Sequence, residues 1–207
     1  MKLNRKPRGE VTRQAILEAA ELVFAEVGYA AARLEDVAEA VGIRRPSIVY
    51  YFSSKQELYD AVEADIFADL HAFSQARLKQ ADACFPRLIA LLDAWLDFHV
   101  GRPSAARIIQ RLVADVTPRQ GNPVQYSNSA LKDIEAVVNE GVAAGQFVDI
   151  SPIQLLNSVG AGALFYVCNA GQVGENRRYD PADPAELARF RALLHRLAAA
   201  AVRGDRR

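Results

Sequence analysis

The sequence predicts an all-α protein: an N-terminal three-helix domain containing a helix-turn-helix, followed by a larger C-terminal helical domain. Three observations predict it. The 207 residues are 51% apolar, rich in alanine and leucine and only 8% aromatic, a balance that favours helix over sheet. Apolar residues recur at helical spacing between proline and glycine punctuation. Leu34 to Tyr59, LEDVAEAVGIRRPSIVYYFSSKQELY, reads as a short helix, a glycine turn, a second short helix and the start of a long one. The length supports one or two cores. The division is expected at residues 1–54 and 55–207.

Each element follows from local signals. A first helix is expected from about Glu10 to Val27, with Ile16, Ala20, Val23 and Val27 at helical spacing beside Leu17 and Phe24, and Gly28 stopping it. The second spans Leu34 to Val41, its apolar face made by Leu34, Val37, Ala38 and Val41. Gly42 supplies the left-handed turn. Pro46 opens the third helix, where its missing amide hydrogen is harmless. Ser54-Lys55-Gln56-Glu57 spells a capping box for a fourth helix reaching about Leu78. Later helices are expected over Pro86–Val100, Pro103–Val116, Pro123–Ala144 and Ser151–Gln172, with a loop at Thr117–Asn122. A polar linker, Val173 to Ala182, precedes a last helix capped by Asp183, Pro184 and Glu186 and ending near Arg203.

Composition narrows the function. The formal net charge is zero, so the chain is not a generally basic nucleic-acid coat. The N-terminal arm is nonetheless basic, with Lys2, Arg5, Lys6, Arg8 and Arg13 against Glu10, a pattern suited to a phosphate backbone or a minor groove. Cys84 and Cys168 stand far apart, which fits a reducing cytosol and no disulfide framework. No signal peptide is read, and Val159 to Cys168 is too short to span a bilayer. A cytoplasmic location is expected.

The third helix carries the chemistry. Ile48 and Phe52 lie four apart and share an inward face. Ser47, Tyr50 and Tyr51 point elsewhere, and Arg44 and Arg45 stand at the N-terminal end, the part of such a helix that meets base edges. An arginine there suits a forked pair of bonds to guanine O6 and N7. Tyrosine hydroxyls suit phosphate oxygens, which fix register. Lys55 adds a cation beside the amides of the next helix.

These residues resemble the TetR-type one-component transcriptional regulators. The resemblance rests on TRQAILEAAELVFAEVGY, LEDVAEAVGI and YYFSSKQELYDAV and covers about Thr12 to Val62. The family pattern ends its recognition helix with Tyr, His, an aromatic and Phe; this chain has Val49, Tyr50, Tyr51 and Phe52. The family favours Thr or Ser before the second helix; here Ala32 and Arg33 stand there, and Arg33 is itself placed to reach a phosphate. The resemblance implies a sequence-specific regulator, most simply a repressor released from a palindromic operator by a small, largely apolar effector. It also implies a homodimer paired through the last two long helices.

Two signals in the larger domain fit those expectations. VGAGA at 159–163, with Gly160 and Gly162, permits close helix approach, and Leu187, Phe190, Leu194 and Leu197 form a stripe for a dimer interface. For a pocket, Trp95, Phe98, Phe165 and Tyr166 offer apolar walls. His71, His99, Gln110, Arg111, Asn139, Asn157 and Asn169 are candidate anchors. His71 stands, counted from Pro46, where the tetracycline repressor of that family holds a ligand-contacting His.

Rival classes are an all-helical enzyme and a protein-binding adaptor with a helix-turn-helix-like domain. The sequence has no HExxH, no GxSxG, no repeated Glu-x-x-His and no phosphate-binding glycine loop. His71, His99 and His195 lack metal spacing, so no metal or cofactor is expected. An adaptor would not need Arg44, Arg45, Tyr50, Tyr51 and Lys55 gathered on one edge.

Overall fold

The computed structural model describes residues 8–114, 127–172 and 174–203. The expected loop at 117–122, the helix start at Pro123, and Lys2, Arg5 and Lys6 of the basic arm lie outside the described residues. The elements are α1 (Arg8–Ala31), α2 (Leu34–Val41), α3 (Arg45–Tyr51), α4 (Lys55–Leu78), α5 (Cys84–Gly101), α6 (Pro103–Ala114), α7 (Asn128–Ala143), α8 (Pro152–Leu155), a π-helical turn (Leu156–Gly160), α9 (Ala161–Cys168) and α10 (Pro184–Arg203). Among the described residues there is no strand.

The first three helices enclose a small core of Ile16, Ala20, Phe24, Val37, Ile48 and Phe52. Val27, expected in that stripe, is exposed. The buried face of α1 instead runs through Leu17, Glu21 and Ala25, spaced one turn apart. Gly28 leaves helical geometry at φ 78°, ψ 167°, as a stop should, and one further turn follows it. At α2 the Arg33 N–H donates to Asp36 Oδ2 at 3.2 Å, so Asp36 closes the helix start that lacks a Ser or Thr. The far end is a Schellman turn. Gly42 is left-handed, its N–H donates to the Glu39 carbonyl, and the Ile43 N–H donates to the Ala38 carbonyl, each at 3.0 Å. Helix α3 begins at Arg45, one residue before Pro46.

The capping box of α4 is offset from the expected one. Ser54 Oγ accepts from the Glu57 N–H at 3.1 Å, but the Glu57 carboxylate accepts from the N–H and the hydroxyl of Ser53. Those hydrogen bonds, with the nearby Arg13 charge, hold the Glu57 carboxyl below its ordinary range. In the larger domain α5 is the central helix, with Leu88, Leu91, Leu92 and Leu96 fully buried against α4, α7 and α9. The helix expected as one piece from Ser151 is interrupted by the π turn. Ser158 Oγ donates back to the Gln154 carbonyl at 2.8 Å, a bond that bends helices. A Cβ on Gly160 would meet Trp95 at 2.7 Å, so only glycine lets the turn lie on the indole.

Three cations join the larger domain to α1. Arg102, at the α5–α6 corner, donates from Nε to both Glu21 oxygens (2.9 and 3.0 Å), from Nη1 to Asp69 (2.7 Å) and from Nη2 to Asp65 (2.8 Å) and Glu21. Arg111 on α6 donates to the Glu26 carbonyl at 3.2 Å. Lys55 donates to the Tyr29, Ala30 and Ala32 carbonyls at 2.8, 3.2 and 3.0 Å. Cations at a helix C-terminus satisfy carbonyls that have no partner within the helix. Glu21 is only 5% exposed, so Arg102→Met leaves a buried carboxylate unpaired beside two others. The expected loss is about 3–5 kcal/mol, read from the urea midpoint at constant m-value. Arg102→Lys recovers only part of it, because a compact ammonium cannot span three carboxylates.

Candidate nucleic-acid interface and C-terminal cavity

Helix α3 is short and two-faced. Ile48 and Phe52 are fully buried, and the Arg13 guanidinium lies over the Phe52 ring at 4.9 Å. The opposite face carries Ser47 and Tyr50, the latter 83% exposed. Tyr51 is half-buried, packed edge-on against Tyr50, and its hydroxyl reaches the first turn of α1 at Gly9. Arg44 is exposed and has no ion pair among the described residues. Arg45 Nε contacts Glu35 at 3.0 Å, and Arg33 approaches the other oxygen of the same carboxylate at 3.7 Å. All three side chains are well exposed, so these pairs hold the arginines weakly, on the order of 0–1 kcal/mol. Glu35 therefore orients two cations without committing them. Arg33, Arg44, Arg45, Ser47 and Tyr50 form one exposed edge, with Tyr51 at its margin.

Lys55 departs from the expectation. Its three ammonium hydrogens face three carbonyls, and it lies 4.6 Å from the centre of the Tyr29 ring. It is a cap for the end of α1, not a free charge for a phosphate. Its carbonyl partners, 23 to 26 residues earlier, leave no sequence signal.

A second feature lies inside the larger domain. A cavity of about 290 Å³ opens between α4, α5, α6, α7, the π turn and α9, walled by Phe67, Leu70, Leu112, Leu131, Leu156 and Leu164. Trp95 and His99, one turn apart on α5, also line it. Trp95 Nε1 and both His99 ring nitrogens are covered and have no hydrogen-bond partner among the described residues. Burial lowers the His99 pKa to about 4, and the Trp95 carbonyl one turn back, close to the ring but short of a well-formed hydrogen bond, opposes that in part.

Comparison with known proteins places the chain. Residues 16–62 match the family model of the bacterial regulatory proteins of the tetR family, and residues 87–197 match that of the tetracyclin repressor-like C-terminal domain. The chain is 30% identical over 169 residues to the HTH-type transcriptional regulator RutR of Escherichia coli, covering 78% of this chain and 76% of that protein. The chain belongs to the TetR family. It is also 27% identical over 210 residues to the HTH-type transcriptional repressor NicS of Pseudomonas putida, covering 98% and 96% of the two chains. Its fold matches the crystal structure of the transcriptional regulator FadR from Bacillus subtilis in complex with stearoyl-CoA, with TM-score 0.73, 17% identity and coverage of 93% and 98%.

The expected anchors of this TetR-family regulator separate into two groups. Trp95, His99, Asn157 and Phe165 reach the cavity. The others do not. His71 Nδ1 pairs with Asp133 Oδ2 at 2.7 Å, and Gln75 donates to the other Asp133 oxygen at 2.7 Å, a latch between α4 and α7 outside the cavity. Arg111 caps α1; Gln110 and Asn169 line a separate surface crevice. Asn139 is on the solvent face of α7. Tyr166 stacks on Phe190 (4.2 Å) and Tyr179 (5.0 Å).

The expected interface residues change as well. Gly160 is spent on Trp95, and a Cβ on Gly162 would stand 3.7 Å from Phe190 and 3.8 Å from Leu194, so both glycines pack within the chain. Leu194 is buried, and Leu187 and Phe190 are half-buried against the core. Leu197 stays 47% exposed, and Leu193, one turn before it, 41%. The sequence stripe thus names mainly the inward side of α10, and its outward side carries Leu193 and Leu197.

His99 yields a pH prediction. The fold holds the ring neutral, whereas the unfolded chain protonates it below about pH 6.5. Its stabilising contribution is complete above that pH and is lost as the pH falls toward 4, by about 3 kcal/mol in all. Urea unfolding of His99→Phe should show a shallower fall between pH 6.5 and 4 than the parent.

Proposed function

We propose that this TetR-family regulator binds a palindromic operator as a homodimer and is released when a small, largely apolar effector enters the C-terminal cavity. The single observation that carries the DNA half is the two-faced α3: one side sealed by Ile48 and Phe52, the other presenting Arg44, Arg45, Ser47 and Tyr50. In this reading Arg45 reads a guanine edge, while Arg33, Arg44, Tyr50, Tyr51 and Ser47 hold phosphates. We take the reading unit as residues 1–54 and the remainder, 55–207, as the sensing and pairing unit. Repression is supported by the named role of NicS, and the operator sets it. Among the described residues no helix is long and apolar enough to cross a membrane; a DNA partner supports a cytoplasmic location.

Pairing through α9 and α10 is supported by exposed Phe165, Leu193 and Leu197. Twofold symmetry then sets two α3 helices roughly 34 Å apart, one DNA turn. In this reading the signalling route runs along α5. Trp95 and His99 face the cavity on its last turns, and Arg102 follows three residues after His99 with its grip on α1 and α4. An effector that shifts this turn shifts the helix carrying α2 and α3, which is a coupling between two sites.

Selection of bound duplexes from a random pool should return a palindrome. With that site in hand, Arg45→Ala should relax preference at one base pair per half-site by about 1–3 kcal/mol. Arg44→Ala should weaken all sequences alike and shallow the salt slope by about one per subunit. Lys55→Met should lower the urea midpoint and leave the salt slope unchanged; a slope change would restore it as a phosphate contact. Leu193→Glu with Leu197→Glu should convert dimer to monomer in sedimentation, with the helical content kept.

A further inference from the structure

The chemistry of the cavity specifies what fills it. Its wall contains no Lys, Arg, Asp or Glu among the described residues. Among the described residues His99 is its one titratable group, and burial keeps that ring uncharged at neutral pH. A carboxylate or phosphate taken inside would meet no counter-charge, and burying an unpaired charge is costlier than any apolar gain there. The occupant is therefore neutral. An apolar cavity of roughly 150 Å³ holds a benzene. The present one, at about 290 Å³, takes about a dozen non-hydrogen atoms.

The wall is not wholly inert. Trp95 and His99 are 5% and 6% exposed, both line the cavity, and their nitrogens lack partners among the described residues. Indole N–H only donates; neutral imidazole donates from one nitrogen and accepts at the other. A buried donor left without a partner is costly, and an oxygen acceptor on the occupant restores the bond. The nitrogens are covered, so a turn of either ring is needed to bring its N–H to the occupant. That turn is the differential contact a switch requires, since a ligand moves an equilibrium only by binding its two states unequally.

We propose that the cavity binds an uncharged, mainly apolar molecule of about a dozen non-hydrogen atoms, bearing one carbonyl-type oxygen that accepts from Trp95 Nε1 and from His99. This deepens the effector-release reading and rests on it for its regulatory meaning, but the binding itself needs no DNA.

Trp95 is the sole tryptophan in the chain, so its fluorescence reports the site directly. The full-length protein is titrated near pH 8 with benzylacetone, butylbenzene and hydrocinnamate, which share a phenyl-alkyl body and differ as ketone, hydrocarbon and carboxylate. The ketone should shift Trp95 emission and bind at least about tenfold more tightly than the other two. In His99→Phe the ketone should lose part of its advantage over butylbenzene, keeping the share that the Trp95 N–H supplies, while butylbenzene is held. Hydrocinnamate binding as tightly as the ketone overturns the neutrality assignment. Equal binding of ketone and hydrocarbon to the parent protein overturns the oxygen contact, whatever the variant does. No response to any of the three overturns the site. A ketone that binds without altering operator affinity leaves the ligand class standing and removes the release reading instead.

Discussion

The grip of Arg102 on α1 and α4 is the interaction on which the rest of the molecule depends. One guanidinium at the α5–α6 corner meets Glu21, Asp65 and Asp69, contributed by two helices 33 to 81 residues earlier in the chain. Burial opposes its charge, and the hydrogen bonds and charges of Glu21 and Asp65 outweigh that, so it stays protonated above its ordinary range. Ser104 adds a bond to Glu21 at 2.6 Å. The planar fork of arginine is what allows three carboxylates to share one cation. Apolar residues at these four positions would hold the helices together but would not fix their rotation about one another. Directional bonds do that.

With this corner fixed, α1 becomes a strut shared by both halves. Its middle is held by Arg102, and its end by Lys55 and Arg111. Gly28 is needed at that end for its positive φ, and a side chain there would also push aside the Arg111 guanidinium, 2.7 Å away. On its other side α1 packs against α2, which packs against α3. A rearrangement at the cavity end of α5 thus has a short, packed route to the reading helix. That α5 carries the cavity nitrogens and ends at the Arg102 corner is the physical content of the coupling proposed above.

Much of this was legible in the sequence, and the limits have a pattern. Local signals held. Gly42 as the turn, the Ser54 cap, the Ile48–Phe52 face and the Asp183 start of the last helix all depend on residues within a few positions of one another. Tyr50 and Arg44 were placed correctly because a helical face is a local property. Glu21 was half legible: a carboxylate in register with Leu17 and Ala25 should have flagged a buried charge. What failed was any role set by a distant partner. Lys55 looked like a phosphate contact until its carbonyls were seen, and His71 looked like a ligand contact until Asp133 was. Gly160 was read as an interface residue because a small residue says that something comes close without saying what.

The same internal pairing reconciles a net charge of zero with a DNA partner. Asp65, Asp69 and Glu21 are spent on Arg102, Asp93 and Asp97 on Arg191, and Asp133 faces His71. These clusters hold more carboxylates than cations, so they carry a negative surplus that offsets the basic edge in the chain-wide total and is screened beyond a Debye length of about 8 Å at physiological salt. At the α3 edge the balance differs: Arg33, Arg44 and Arg45 stand against Glu35. A phosphate approaching that edge meets local positive charge that the whole-chain total conceals. A near-neutral chain with a small basic edge gains little affinity for random DNA and must draw more of its binding from base and shape contacts, which is the balance a selective regulator needs.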